Sequence, residues 1–199
     1  MSTPPTRPAL RARYDRRRQD VVDAAAGVFA EKGFQATTMD DLSGATGLAA
    51  GGLYHYIGSK EQLLGDVCTE LLAPLLDEAH AIVAEPAPPE ETLRRLVRVW
   101  AGHVESHRDH MRVFGQERQL IERGPRWRAI RASRKEFERV LDDVLAAGER
   151  SGDFSFSDRR LALMALLSMI NYLPQWFRPR GRLSAEEVAE GFCDLLLRP

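Results

Sequence analysis

Apolar residues recur every three or four positions along most of this chain, and no stretch alternates apolar with polar residues as a half-buried strand does. The pattern predicts an all-α protein of about nine helices. Val22, Ala25, Ala26 and Phe29 form the buried stripe of a first helix that runs from about residue 14 to Lys32, with Gly33 ending it. Thr38, with Asp41 three residues on, has the sequence of a capping box and opens a short second helix. Gly47 follows where the chain must turn. Leu53, Tyr54 and Tyr56 then share a single turn of a third helix. Ser59 and Gln62 suggest another box, opening a long helix to about residue 84. Its stripe is Leu63, Leu64, Val67, Leu71, Leu75, Ala79 and Ile82, and Pro74 within it predicts a kink.

Beyond Pro86, Pro88 and Pro89 the pattern stays helical. A helix from about Glu91 carries Leu93, Leu96, Val97, Trp100 and Val104. A break near 106–109 precedes a shorter helix over 111–121. Gly124 and Pro125 open the next, with Trp127, Ile130, Phe137, Val140, Leu141, Val144 and Leu145 on its stripe. Ser157 is the expected cap of a helix over 161–177 that is apolar on nearly all sides, so it is buried or packs against a partner. Ser184 and Glu187 make a further capping box before a last helix over 185–197.

Two short helices joined by a Gly-containing turn are the helix-turn-helix pattern, whose second helix enters the DNA major groove. The expected organisation is a disordered basic arm over 1–13, a DNA-binding domain over 14–60, and a larger helical domain over 61–199. Overall charge is only −1, but residues 1–20 hold six Arg against Asp15 and Asp20. Arg16, Arg17 and Arg18 open the first helix and are expected at phosphates, the salt-dependent part of DNA affinity. Hydrophobic residues make up 44% of the 199 positions, enough for a sizeable core. No apolar run is long enough to span a bilayer and the amino terminus lacks a signal-peptide core, so a cytoplasmic location is expected. Cys68 and Cys193 fit no disulfide or metal pattern.

The stretch 18–64 resembles the DNA-binding domain of the TetR family of transcriptional regulators. The resemblance is carried by Ala25, Phe29, Gly33-Phe34, Thr37-Thr38, Leu42, Gly47, Leu53-Tyr54-His55-Tyr56, Ser59-Lys60-Glu61 and Leu63-Leu64, over about a quarter of the chain. It implies that Thr38 bonds a phosphate through its hydroxyl and amide at a helix start. It further implies that Tyr54 and Tyr56 reach backbone or bases, and that Lys60 contacts a phosphate. His55 lies between the tyrosines and is expected to pack inward more than to touch DNA. Thr37 and Met39 are further candidates. Members often carry hydroxyl or longer polar residues where this chain has Ala49, Ala50, Gly51 and Gly52. Direct readout there is therefore sparse, and DNA shape contributes more. The resemblance also implies a homodimer built from the last two helices, with Met164, Leu167, Ile170, Phe192, Leu195 and Leu196 at the interface.

A helical effector domain follows from the same resemblance, with Trp100, His103, Phe114, Glu117, Arg118, Asn171, Gln175 and Trp176 as ligand contacts. The tail from Asn171-Tyr172 through Gln175-Trp176-Phe177-Arg178-Pro179 to Gly181-Arg182-Leu183-Ser184-Ala185-Glu186-Glu187 resembles a TetR branch whose members repress lipid or steroid degradation genes and answer to acyl-CoA thioesters. Arg118, Arg131 and Arg178 are then candidates for the CoA phosphates. A planar hydrophobic effector is the competing expectation. His103, His107 and His110, with Glu117 as a further candidate ligand, have spacings that could hold a metal. The break near 106–109 instead favours a solvated helix end, with no metal and no cofactor. No nucleophile elbow or Gly-rich phosphate loop is present, so an enzyme is not expected. The alternative function is an architectural DNA-binding protein without an effector, which a cavity of several hundred cubic ångströms would argue against.

Overall fold

The structure, a computed structural model, describes residues 5–197; the first four positions of the expected arm lie outside the described residues. The DNA-binding end consists of α1 (Pro8–Lys32), α2 (Met39–Thr46) and α3 (Ala50–Tyr56), and α4 (Lys60–Ala84) leads out of it. The rest comprises α5 (Pro89–Ser106), α6 (Arg108–Gln116), α7 (Arg118–Arg123), α8 (Arg128–Ser151), α9 (Arg159–Trp176) and α10 (Ala185–Leu197). A 3-10 turn, Pro125–Trp127, leads into α8.

Three boundaries differ from the sequence expectation. Residues 8–13 are helical: Pro8 stands in the first turn of α1, where its missing N–H costs nothing, and Arg11 pairs with Asp15 one turn on at 2.9 Å. The helix expected over 111–121 is two helices, because the backbone of Glu117 (φ −92°, ψ 13°) leaves the helical well. That makes ten α-helices among the described residues instead of nine. Asp158, not Ser157, caps α9 and accepts from the Leu161 amide at 3.0 Å. α4 runs as one helix through Pro74. The box of Thr38 with Asp41 and that of Ser184 with Glu187 are both closed.

Two apolar cores result. The first packs α1–α4 around Phe29, Leu42, Leu53, Leu63 and Leu64, all without solvent exposure. It is completed by Val113, Ile121, Trp127 and Ile130 from α6–α8. The expected domain over 14–60 therefore does not close on itself. The second core joins the outer half of α4 to α5, α8, α9 and α10. At its far corner Phe154 lies over Gly148, and its amide donates to the Gly148 carbonyl at 3.1 Å. A Cβ at Gly148 would come within 1.9 Å of that ring, whereas one at Gly102 would meet nothing. Gly148→Ala is therefore expected to lower stability by about 1–3 kcal/mol through overpacking. Gly102→Ala is expected to raise it by about 0.5–1 kcal/mol, since glycine inside a helix carries an entropic cost. Thermal or denaturant unfolding of the two variants reads the difference.

Candidate functional site

The turn between α2 and α3 is made by Gly47, whose φ of +66° only glycine adopts without strain. Leu53 and Ile57 bury α3 against the first core. The opposite side leaves Ala49, Ala50, Gly51, Gly52, Tyr54 and His55 exposed, with Tyr56 and Met39 half-buried at its edges. His55 is thus outside, contrary to the inward packing expected of it. Its ring meets Tyr14 edge-on at 5.6 Å, and the Tyr14 hydroxyl donates to the His55 carbonyl at 3.3 Å. Tyr14 also packs on Tyr56 at 5.1 Å, so it ties the end of α3 to α1. Sequence reading passed over Tyr14, although it stands seven residues before Val21, on the same helical face.

Several polar side chains expected at phosphates already have partners inside the protein. Thr37 is buried and donates to the Gly33 carbonyl at 2.8 Å. The Thr38 amide and hydroxyl both donate to Asp41 Oδ2, at 2.9 and 2.8 Å. The Asp41 carboxyl is held down to about 2 by Lys32, 2.5 Å away, and by Thr38. The Lys60 ammonium donates to the carbonyls of Phe34 (2.9 Å), Gln35 (3.4 Å) and Thr37 (2.7 Å) and lies over the Phe34 ring. It braces the loop before α2. Arg18 reaches Asp66 on α4 at 2.5 Å, and Arg17 donates to the Thr46 carbonyl at 3.1 Å. Arg16 is exposed and makes no ion pair among the described residues.

The second domain holds a cavity of about 460 Å³ between α4, α5, α6, α8 and α9. Its floor is buried and apolar: Leu71, Leu75, Trp100, Met111, Phe137 and Leu167. Its rim is exposed and mostly polar, with Gln116, Arg118, Asn171, Tyr172 and Gln175. Of the expected ligand contacts, Trp100, Phe114, Arg118, Asn171 and Gln175 line it. The other three lie elsewhere, each for a physical reason. His103 is buried beside Glu78, 3.3 Å from Oε1, with its ring stacked on His107. Glu117 accepts the Phe34 amide at 2.9 Å. Trp176 is 45% exposed on the outer side of α9, against Phe192. Arg131 is occupied by the carbonyls of Ile121 and Gly124, and Arg178 stands clear of the cavity. Of the expected interface residues, Ile170 is fully buried in the protomer core and Leu167 is cavity floor.

Residues 86–199 match the model described as the tetracyclin repressor-like C-terminal domain, and residues 21–67 match that of bacterial regulatory proteins, tetR family. The chain belongs to the TetR family. PfmR, a TetR-family regulator of Thermus thermophilus, is 37% identical, covers 89% of this chain and 97% of its own, and superposes with a TM-score of 0.79. The ketosteroid transcriptional regulator KstR2 of Mycobacterium tuberculosis is 29% identical, with 90% and 92% covered and a TM-score of 0.84. A structure of AibR in complex with isovaleryl coenzyme A and operator DNA is 25% identical, with 92% and 99% covered and a TM-score of 0.81. The protein is thus a DNA-binding transcriptional regulator. No helix among the described residues is long and apolar enough to cross a membrane.

In this TetR-family chain the cavity and the DNA-binding end share a wall. Phe114 packs against both cores and lines the cavity. The residues beside it reach into the DNA-binding end: Gln116 donates to the Ala30 carbonyl at 3.3 Å, and Glu117 holds Phe34. The histidines on the same side are not the solvated helix end expected of them. His103 and His110 are buried, and burial lowers the imidazole pKa of both His107 and His110, so these two are neutral near pH 7.

Arg16 and Arg18 separate the two fates of the basic stretch. Arg16→Ala is expected to weaken binding to all DNA sequences and to reduce the salt slope by about one. Arg18→Ala is expected to lower the melting temperature with little change in that slope. Fluorescence anisotropy on duplex DNA at several salt concentrations, beside thermal unfolding, checks both.

Proposed function

We propose that this protein is a homodimeric repressor that leaves its operator when an acyl-CoA thioester enters the cavity. The observation that carries the proposal is a cavity with an apolar floor and an Arg-bearing exposed rim, whose wall also holds α1. An acyl chain suits the floor between Leu71, Leu75, Trp100 and Phe137. Arg134 also lines the cavity, held there by Glu122 and by Glu138, whose Oε1 lies 3.3 Å from its Nε. A CoA nucleotide is too large to join the acyl group inside and would stay at the rim, where Arg118 meets its phosphates. The relation to KstR2, and to AibR with its isovaleryl coenzyme A, supports this ligand class. A planar hydrophobic effector would have no use for the rim arginine. The size of the cavity speaks against an architectural DNA-binding protein.

Release follows from the shared wall. A ligand that displaces Phe114 also moves Gln116 and Glu117, and with them the end of α1 that positions α2 and α3. The ligand shifts the equilibrium only by its preference for the displaced state. Two-fold operators are read by dimers, and Leu161, Met164, Tyr172, Trp176 and Leu195 leave an exposed apolar strip on α9 and α10. Phe192 and Leu196 flank it, half-buried. Reading chromosomal DNA places the protein's work in the cytoplasm, and its role calls for no catalysis.

Three outcomes are expected. Acyl-CoAs, but not the matching free acids, release the purified protein from DNA flanking its own gene in a mobility-shift titration. Arg118→Ala weakens that release while leaving affinity without effector unchanged; release by free acids as effective as by thioesters would sink the CoA assignment. The double variant Leu161→Glu with Leu195→Glu is expected to run as a monomer by light scattering and to lose most operator affinity. A dimer in that variant would place the interface elsewhere.

A further inference from the structure

We propose that Asp23, Glu70 and His110 form a binding site for a first-row divalent cation of the zinc or manganese class, where α1, α4 and α6 meet. Each helix supplies one residue, and none of the three lines the effector cavity. The His110 side chain is 7% exposed, and its Nε2 is buried without a hydrogen bond. That nitrogen points at Asp23 Oδ1, 3.5 Å away, and at Glu70 Oε2, 3.9 Å away. Buried polar atoms normally have partners, so an orphan aimed between two carboxylates calls for one. The three donor atoms lie within 4.8 Å of one another. Metal bonds of about 2.0–2.2 Å to imidazole and carboxylate would hold them roughly 3 Å apart, so side-chain adjustments on the order of 1 Å close the site.

The donor set narrows the ion. One imidazole and two carboxylates suit manganese, iron, cobalt or zinc better than calcium or magnesium, which prefer oxygen alone. Three protein ligands leave positions for water, and Asp23, more than half exposed, leaves a path in. Gln19 bridges the carboxylates, its amide nitrogen 2.6 Å from Glu70 and 3.2 Å from Asp23. Turned by half a revolution, the same amide presents its carbonyl oxygen as a fourth ligand. The nearest competing cation is Arg18, 3.7 Å from Glu70 but held closer by Asp66. The sequence, from which no metal is expected, offers only the three histidines and Glu117 as local candidates; the folded chain pairs His110 with carboxylates 40 and 87 positions away. A bound ion would tie α1, which carries the DNA-binding end, to α6, which walls the cavity.

The test needs no DNA or effector, so it stands apart from the repressor proposal. Full-length protein stripped with a chelator is titrated with Zn²⁺, and separately Mn²⁺, against a chromophoric chelator. One ion per chain is expected. His110→Gln and Glu70→Gln are each expected to weaken binding by at least the ten- to hundredfold, on the order of magnitude, that losing an outer-shell partner costs. His80→Gln, whose ring lies 3.3 Å from Glu136 outside this cluster, keeps the wild-type affinity. The ion is expected to raise the wild-type melting temperature and to leave that of a folded His110→Gln unchanged. Equal affinity in the wild type and either ligand variant overturns the proposal. So does a wild type that binds no ion and shows no thermal shift, even if a variant fails to fold.

Discussion

Two neighbouring leucines on α4 carry the constraint on which the architecture rests. Leu72 faces the first core with Leu63, Leu64, Val67 and Cys68, while Leu71 faces the second with Leu75, Ala79 and Ile82. Adjacent helical residues point about 100° apart, so one rigid helix serves two cores on different sides. Its rotation about its own axis is then fixed by both at once. Turning it to suit one core withdraws side chains from the other. Burial of this kind contributes roughly 1.5–3 kcal/mol for each large apolar side chain. The relative orientation of the two ends is therefore held by packing, with polar contacts selecting among nearby arrangements.

Those polar contacts concentrate on α1, and they differ in kind from the packing. The Glu117 carboxylate on the Phe34 amide, Gln116 on the Ala30 carbonyl, and Arg18 between Asp66 and Glu70 are few and directional. Each can be exchanged for water at modest net cost, whereas the apolar seam of α4 cannot. A ligand in the cavity works against the weaker set. Phe114 belongs to both cores and to the cavity wall, so it is where displacement by a ligand reaches the DNA-binding end without unfolding either core.

Features set by neighbours in sequence were legible before the fold was seen. The stripes of α1 and α4, the boxes at Thr38 and Ser184, and the left-handed Gly47 all depend on residues within a turn or two. Trp100, Phe114 and Asn171 could be placed at the cavity because family resemblance supplied the architecture. The internal partners of polar side chains are not legible where they are distant in sequence. Lys60 bonds carbonyls 23 to 26 residues away and Glu117 an amide 83 away, and no local pattern announces either. Ile170 was misplaced for a related reason. An all-round apolar helix tells that every side is covered, but not which side its own chain covers.

The exposed side of α3 carries few polar groups. With Thr37, Thr38, Lys60 and Arg18 engaged internally, and with only methyl groups and bare backbone from Ala49 to Gly52, few side-chain donors remain for base edges. Tyr54 and His55 on this side, and Arg16 on α1, are exposed. A surface of this kind approaches the groove closely but reads little of its hydrogen-bonding code. In the proposed dimer, discrimination would then depend on how readily a DNA sequence bends or narrows to fit, and the spacing and angle between the two α3 helices would be the quantity that matters. Small movements of α1 relative to α4 change that spacing directly. On that proposal the protein would be correspondingly sensitive to anything that shifts α1, to which the wall of the cavity is anchored.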